Sequence, residues 1–231
     1  AGSGKTTLLT YYIPERLLGI DGEGEKASSS RRLLFLTQSD RLRELAEGTI
    51  RQLLDRLRDE RGCEETSLRP EYLTFHRFAL NQLPVNRRQR FAERSSRSGW
   101  ISFFKFRALL TDPVRGIRTR LTREAANPEI AWFVIRSYIK GFKIHESGED
   151  RRLTPDEYED NEFINRRDRQ ISADLYREVW ERIWPWYKAL TVPCPENGFE
   201  PRCWDDLDLA WEVVLHRSPE APTYAVLVCD E

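Results

Sequence analysis

Three short apolar runs near the two ends of the chain predict β-strands. They are "LLFLT" at 33–37, the first half of "EYLTFHRFAL" at 71–80, and "TYAVLVC" at 223–229. Apolar runs of this length, rich in β-branched and aromatic residues, are typical of strands that a parallel sheet buries on both faces. We therefore expect the segments 33–37, 71–74 and 223–229 to be adjacent or nearly adjacent in one sheet.

A long amphipathic helix is predicted directly after the first strand, in "SDRLRELAEGTIRQLLDRL". Ser39 is a candidate N-cap, because its hydroxyl can accept a hydrogen bond from an otherwise unpaired backbone N–H of the first turn. Apolar side chains then recur at helical spacing, which predicts one buried face. They are Leu42, Leu45, Ala46, Ile50, Leu53, Leu54 and Leu57.

The middle of the chain, from about Pro84 to Arg202, shows helical patterns and little strand signal. "LTPDEYED" has the form of a capping box, in which Thr154 is the N-cap, Pro155 takes the first helical position and Glu157 reaches back. Another helix is predicted to end in "IKG", with a glycine as its C-cap. This glycine is Gly141, and we predict no functional role for Lys140 beside it.

The segment "SADLYREVWERIWPWYKAL" predicts a further helix, with Ser172 as its cap. One apolar stripe is expected along it, formed by Leu175, Val179, Ile183 and either Trp186 or Tyr187. Pro185 should kink or end this helix, because proline lacks the N–H that the helix interior needs.

These patterns predict an α/β fold with an inserted helical block. We expect residues 1–83 and 203–231 to build one domain around an incomplete parallel sheet, and residues 84–202 to form a mostly helical insertion. Its aromatic content, with 7 Trp, 8 Tyr and 11 Phe, supports a folded core. No apolar run approaches the ~18 residues that would span a bilayer, so no membrane partner is expected.

Net charge does not identify a partner, because 37 basic residues face 38 acidic ones. Two local basic clusters, "RRQRFAERSSR" at 87–97 and "NRRDRQ" at 165–170, have two interpretations. They either line a channel that follows a nucleic-acid backbone, or they are solvated helix faces.

The cysteines indicate a reducing compartment. Cys63, Cys194, Cys203 and Cys229 form no CxxC pair, and with only 3 His a zinc site is disfavoured. Reduced thiols predict an intracellular protein, cytoplasmic in a bacterium and nuclear or cytoplasmic in a eukaryote.

The first seven residues, "AGSGKTT", contain the second half of the phosphate-binding pattern G-x-x-x-x-G-K-[ST]. In such a loop, glycines let the backbone turn its N–H groups towards phosphates. Lys5 would reach the β- and γ-phosphates of ATP, and the Thr6 hydroxyl would coordinate Mg²⁺. The residues predicted to bind the nucleotide are Ala1, Gly2, Ser3, Gly4, Lys5, Thr6 and Thr7. The alternative is a Gly/Ser loop followed by an ordinary helix.

The last predicted strand ends in two carboxylates that would complete an ATP site. Asp230 is predicted to hold Mg²⁺ together with Thr6, and Glu231 is placed to orient and deprotonate the attacking water. Lys5, Asp230 and Glu231 are therefore the predicted catalytic residues, unless this strand simply ends in a polar turn. The chain runs from one ATP motif to the other and contains no Met. We therefore expect it to be a segment of a longer protein.

Five ordered motifs resemble those of UvrD/Rep-like superfamily 1 helicases: "AGSGKTT", "LLFLTQS", "YLTFHRF", "CWDDLDLAWEVVL" and "VLVCDE". This resemblance implies a RecA-like P-loop NTPase domain, whose helical insertion (subdomain 1B) lies over single-stranded nucleic acid. The insertion itself resembles helicase-like modules of large proteins with TPR and ankyrin repeats. The segments that carry this second resemblance are "ISFFKF", "IRSYIKG", "LTPDEYED" and the Trp-rich helix.

The resemblance also implies a nucleic-acid track on two loops. Motif Ia falls on Thr37, Gln38 and Ser39, and motif Ib falls on Thr74, Phe75 and His76. Hydroxyl and imidazole groups can bind phosphate oxygens, and an aromatic ring can stack on a base. Many relatives have an aromatic residue where this chain has Gln38, which puts base stacking at that loop in doubt. Phe75 and Phe78 are alternatively core residues.

The implied partners are single-stranded nucleic acid, with DNA favoured over RNA, and a second RecA-like domain of the same parent chain. In this family that second domain supplies the arginines that neutralise the γ-phosphate, each worth ~10³–10⁵ in rate. Residues 1–231 alone are therefore expected to bind Mg-ATP weakly and to hydrolyse it slowly.

The motifs favour an ATP-dependent helicase or single-strand translocase. The alternative is a non-motor ATPase module that acts as a nucleotide-dependent switch in a larger protein. A P-loop kinase or GTPase is disfavoured by the Thr-Phe-His motif, the Asp-Glu pair and the absence of NKxD. Asp205, Asp206 and Asp208 suggest metal binding, but a capped helix explains these carboxylates more simply.

Overall fold

The computed structural model describes eleven parts of the chain. They are residues 13, 32–61, 70–92, 99–112, 121–144, 152–160, 162, 164–165, 169–192, 203–224 and 226–229. These residues fall into two compact units. The sheet unit comprises the described residues up to Gln82 and from Ser218 onward, and the helical unit comprises those of Leu83–Arg217.

A three-stranded parallel sheet is the centre of the sheet unit. Its strands are β1 (Leu33–Thr37), β2 (Pro70–Thr74) and β3 (Val226–Cys229), in the order β2-β1-β3. The expected adjacency of the three segments and the mixed α/β character are therefore confirmed. The last strand is shorter than predicted, because it begins at Val226 rather than at residue 223.

Tyr224, which precedes β3 in the chain, contacts two other elements of the sheet unit. Its hydroxyl donates a hydrogen bond to Glu71 at 3.0 Å, and its ring packs on Phe78 with the centroids 6.1 Å apart. Its side chain therefore tethers the approach to β3 by contacts to β2 and to the following helix. The apolar run that predicts the strand does not reveal such side-chain contacts.

Two helices follow the first two strands, α1 (Asp40–Arg61) after β1 and α2 (Phe75–Gln82) after β2. The buried face of α1 packs on one side of the sheet, in a cluster that contains Leu33, Phe35, Ala46, Ile50, Leu54 and Val228. Leu45 departs from the predicted stripe, since its side chain is 62% exposed. The stripe that packs on three strands is narrower than the run of leucines suggests.

The helical unit is built from short helices and two π-helical segments. They are α3 (Val85–Arg88), a 3₁₀ turn (Gln89–Phe91), α4 (Phe103–Thr111), α5 (Pro128–Phe133) with the π segment Val134–Lys140, α6 (Pro155–Glu159), α7 (Ala173–Glu178) with the π segment Val179–Ile183, α8 (Trp184–Thr191) and α9 (Asp206–His216). Within the described part of 84–202 no strand occurs, and one isolated bridge joins Trp100 to Trp204.

The core of the helical unit is aromatic. Tyr158 and Tyr176 stack with ring centroids 4.1 Å apart and nearly parallel planes. Phe106 lies beneath Trp132 and against the edge of Tyr187, with centroids at 4.9 and 5.5 Å. Such pairs contribute about 0.5–1.5 kcal/mol each beyond the burial of their area. Aromatic contacts therefore connect α6 with α7, and α4 with both α5 and α8.

Local capping matches the sequence closely. Thr154 and Glu157 form the predicted capping box, and Ser172 accepts a hydrogen bond from the Leu175 N–H at 3.3 Å. Ser39 accepts one from the Leu42 N–H, also at 3.3 Å. Gly141 is the C-cap of the π segment that ends at Lys140. The predicted helix starts and this helix end are confirmed.

Pro185 does not end the helical stretch, which continues to Thr191. The π segment Val179–Ile183 lies directly before α8, in which Pro185 is the second residue. A π turn uses i→i+5 hydrogen bonds and therefore rotates less per residue than an α turn. The proline is accommodated in the first turn of α8, where its missing N–H costs little. Leu175, Val179, Ile183 and Tyr187, each four residues apart, stay on one buried side.

Candidate functional site

The carboxyl ends of the three parallel strands lie at one edge of the sheet. Thr37, at the end of β1, is in register with Thr74, at the end of β2. The last residue of β3, Cys229, is in register with Leu36. In open α/β sheets, ligands bind outside this edge, because loops and helix N-termini converge there. The two predicted nucleic-acid loops begin at this edge.

At the motif Ia loop, the buried Thr37 hydroxyl donates to the Ser39 carbonyl at 3.0 Å, while the Ser39 hydroxyl caps α1. Gln38 and Ser39 are exposed. The hydroxyl of Thr37 therefore shapes the turn, and the exposed polar groups available to a ligand come from the two residues after it.

At the motif Ib loop, the buried Thr74 hydroxyl accepts a hydrogen bond from the Arg77 N–H at 3.4 Å, so Thr74 caps α2. Phe75 and His76 follow it and are half-buried. Phe78 is half-buried as well, and its ring packs on Tyr224. Both strands thus end in a turn that leads into a helix, and the capping hydroxyl belongs to Ser39 in one turn and to Thr74 in the other.

Charge at this edge is mixed. Asp40 opens α1, and its carboxylate lies 3.4 Å from Arg43 Nε and 4.0 Å from the Arg77 guanidinium. The Asp40 and Arg77 side chains are both 60% exposed, so this pair contributes little to stability. Arg77 brings a cation to the turn that carries His76.

The predicted ATP-site residues lie outside the described residues. These are Ala1, Gly2, Ser3, Gly4, Lys5, Thr6 and Thr7 at the start, and Asp230 and Glu231 at the end. Asp230 follows Cys229 in the chain. Among the residues that the structure describes, no group of three or more His, Cys, Asp or Glu side chains could hold a metal ion.

A buried polar cluster in the helical unit contains two of the three carboxylates considered as metal ligands. Lys140 Nζ donates to Asp205 at 2.7 Å and to Asp208 at 2.6 Å, and the Tyr187 hydroxyl donates to Asp205 at 2.6 Å. Asp205 and Asp208 also form the capping box of α9. The capped helix is therefore the observed role, and an ammonium group lies between the two carboxylates.

The pKa values in this cluster follow from burial and from its cation. Burial alone would raise the pKa of Asp205, but the ammonium of Lys140 and the hydrogen bonds from Lys140 and Tyr187 hold it below its usual value. Burial and the Asp205 carboxylate raise the pKa of Asp208 to about 6. Burial and both carboxylates hold the Tyr187 pKa well above its usual value. The ammonium group of Lys140 thus neutralises two carboxylates whose pKa values are shifted in opposite directions.

Sequence reasoning missed this cluster. Lys140 is separated from its partners by 65 and 68 positions, so no local pattern joins them. The one available signal is a lysine in a strongly apolar helical stretch, since a buried lysine needs an anionic partner.

The described arginines of the two basic clusters make contacts within the helical unit. Arg87 pairs with Glu212 at 2.6 Å, and Arg90 donates to the Thr191 carbonyl at 2.7 Å. Arg169 donates to the Glu159 carbonyl at 2.6 Å. These arginines join distant segments of the fold, a role that the sequence analysis did not include. The rest of both clusters, at 93–97 and 166–168, lies outside the described residues.

Comparisons of the chain with protein-family models, with curated proteins and with solved structures find no match. Over the part of the chain that the structure describes, none of the helices is both long and apolar enough to cross a membrane.

Proposed function

We propose that this chain carries the ATP-binding domain of an ATP-dependent helicase or single-stranded nucleic-acid translocase, a RecA-like P-loop domain with a helical insertion. One observation carries the proposal. The segments with motifs Ia and Ib form neighbouring parallel strands, and both motif loops begin at the edge where β3 ends one residue before Asp230. A parallel sheet with this edge is the expected location of a ligand site.

The proposed chemistry divides between two groups of residues. Lys5 binds the β- and γ-phosphates, Thr6 and Asp230 hold Mg²⁺, and Glu231 positions the water that attacks the γ-phosphate. Gln38, Ser39 and His76 contact the nucleic-acid backbone at the ends of β1 and β2. ATP and the single-stranded nucleic acid would then both bind to loops of one sheet.

Replacing Lys5 with alanine should weaken Mg-ATP binding by about tenfold or more. A charge-assisted hydrogen bond contributes about 1.5–3 kcal/mol, and this variant removes the cation that the γ-phosphate meets. Isothermal titration calorimetry with ATP, with and without Mg²⁺, measures the effect on the full chain. Binding rather than turnover is the readout, because the resemblance assigns the γ-phosphate arginines to a second ATPase domain.

Lys188→Ala is the matched control, since Lys188 is an exposed lysine of the helical unit and should leave ATP affinity unchanged. If the wild-type chain fails to bind Mg-ATP, or if both lysine variants behave alike, the proposed ATP site is wrong. Tighter binding of GTP than of ATP would favour a GTPase instead.

Replacing His76 with alanine should weaken single-strand binding several-fold, by about 1 kcal/mol for one hydrogen bond to a phosphate. The loss should be similar for different base sequences, because backbone contacts carry no sequence information. Fluorescence anisotropy with labelled DNA and RNA oligonucleotides measures it. His216→Ala is the control, because this histidine belongs to the helical unit and lies 3.8 Å from Glu212. Equal affinities for the wild type and His76→Ala would remove motif Ib from the proposed track.

A further inference from the structure

Helix α4 exposes an aromatic side chain that the fold does not use. The helix begins after Ser102, which accepts a hydrogen bond from the Lys105 N–H at 3.3 Å. Phe106 and Leu110 point into the core and are buried, whereas Phe104 is 77% exposed. Burying a phenylalanine side chain contributes favourably to folding, so a ring that stays this exposed is a candidate contact for a partner.

Phe104 belongs to a defined face of α4. The exposed residues of this helix include Phe104, Arg107, Ala108 and Thr111, which follow the spacing i, i+3, i+4 and i+7. Residues three apart on a helix are neighbours, so the guanidinium of Arg107 is carried one turn from the exposed ring. An aromatic ring and a cation are therefore presented together.

Further planar groups continue from this ring. The centroid of Phe103 lies 5.9 Å from that of Phe104, and the ring of Trp132 lies 6.3 Å from Phe103. The guanidinium of Arg136 lies over Trp132, 5.1 Å from its centroid. Phe103 and Trp132 are half-buried, so each still presents part of its ring. We name these five side chains, including Arg107, the aromatic patch.

We propose that the aromatic patch binds single-stranded nucleic acid, by stacking a base on Phe104 and pairing the neighbouring phosphate with Arg107. Base stacking on aromatic rings tolerates any sequence, because every base has a π face. The inference takes its partner class from the proposed function, but it concerns a separate surface on the helical unit.

Charge favours a polyanion over an apolar peptide or a second copy of the chain. From Trp100 to Thr111 the sequence contains Lys105 and Arg107 and no acidic residue, and Asp112 follows as the C-cap of α4. Arg136 is partly neutralised by Asp206, whose carboxylate lies 3.9 Å away. Arg107 therefore supplies the main phosphate contact, and an apolar partner would leave its charge without a counterion.

Phe104→Ala should weaken binding of a short labelled oligothymidylate roughly 5- to 100-fold, as measured for base–aromatic stacking. Phe104→Trp should restore affinity, because it keeps a stacking ring. Val85→Ala is the matched control, since Val85 is an exposed apolar residue of the same unit at 78% exposure. Circular dichroism should show unchanged folding in all three variants, because both side chains lie largely in solvent.

An abasic oligonucleotide of the same length separates stacking from charge. With it, Phe104→Ala should bind as the wild type does, since no base remains to stack. Arg107→Gln should instead lower the slope of log affinity against log salt, by roughly 0.7 for one lost phosphate contact on a single strand.

The proposal is overturned if Phe104→Ala changes affinity no more than Val85→Ala does, or if the loss is the same on abasic strands. A variant that changes only the sedimentation coefficient would identify a second copy of the chain as the occupant and would also overturn it. Lys5→Ala distinguishes this inference from the proposed function. If the chain binds the oligonucleotide through Phe104 but does not bind ATP, the aromatic-patch proposal is supported and the proposed helicase function is wrong.

Discussion

Replacing Lys140 with methionine is expected to destabilise the helical unit by about 3–5 kcal/mol at pH 8, which is the usual cost of removing one partner of a buried ion pair. The Lys140 side chain is 8% exposed and lies between Asp205 and Asp208, which are 0% and 10% exposed. Methionine keeps most of the apolar stem but leaves two buried carboxylates without their cation. Uncompensated buried charge, rather than lost packing, is the cause of the expected effect.

The pH dependence gives this prediction a signature. The pKa of Asp208 is raised to about 6, so its contribution stabilises the fold below about pH 4 and is lost as the pH rises through 6. The pKa of Asp205 is lowered, so its contribution is present above about pH 4 and is lost as the pH falls below it. Without the cation both carboxylates protonate more readily. The cost of Lys140→Met should therefore be largest at pH 8 and should fall by on the order of 1–2 kcal/mol at pH 5.

Urea denaturation followed by tryptophan fluorescence measures this cost selectively. All 7 Trp of the chain lie between Trp100 and Trp211, within the range of the helical unit. Lys188→Met is the control, because Lys188 is exposed on α8. A second variant, Lys140→Met with Asp208→Asn, should recover part of the loss by removing one unpaired charge. A Lys140 variant as stable as the Lys188 control at both pH values would contradict this account of the cluster.

Opposite effects are expected from replacing Gly141 and Gly48 with alanine. A Cβ on Gly141 would lie 2.2 Å from the Arg136 carbonyl oxygen, a backbone atom that can move only with its π turn. Gly141→Ala should therefore destabilise the helical unit by about 1–3 kcal/mol. A Cβ on Gly48 would meet nothing within 4 Å, and Gly48 lies inside α1. Gly48→Ala should stabilise the sheet unit by about 0.5–1 kcal/mol, because it restrains the unfolded backbone.

Each substitution has its own probe. Tryptophan fluorescence reports on the helical unit and should shift for Gly141→Ala alone, whereas far-ultraviolet circular dichroism includes the helix that contains Gly48. If Gly141→Ala were neutral, the close approach of the Arg136 carbonyl would not constrain the end of this π segment. Loss of stability in Gly48→Ala would mean that the exposed side of α1 is covered.

The buried cluster also decides to which unit α9 belongs. From the sequence, residues 203–231 are expected to return to the sheet, whereas the contacts group the chain up to Arg217 with the helical unit. Asp205 and Asp208 at the start of α9 are bonded to Lys140, and Glu212 further along it pairs with Arg87. These ion pairs hold α9 against the helices that precede it.

The sequence by itself determined the features that depend on neighbouring residues. The caps at Ser39, Thr154 and Ser172 were predictable, because an N-cap and its partner lie within three residues of each other. The segments of β1 and β2 were predictable as strands from their short apolar runs, but only β1 is buried along its whole length, since residues 70–73 of β2 are half-buried. For the candidate site, the two loops that follow these strands came from the resemblance of their residues to motifs Ia and Ib.

Only the tertiary structure decided which distant residues meet. The order β2-β1-β3 and the register of Thr37 with Thr74 depend on pairing between segments far apart in the chain. The exposure of Leu45 and the π turn before Pro185 depend on what each helix packs against. The pairing of Lys140 with two carboxylates spans more than sixty positions. Hydrogen bonding within one turn is determined by residues close in the sequence. Packing and charge compensation are instead determined by the surfaces that the folded chain brings together.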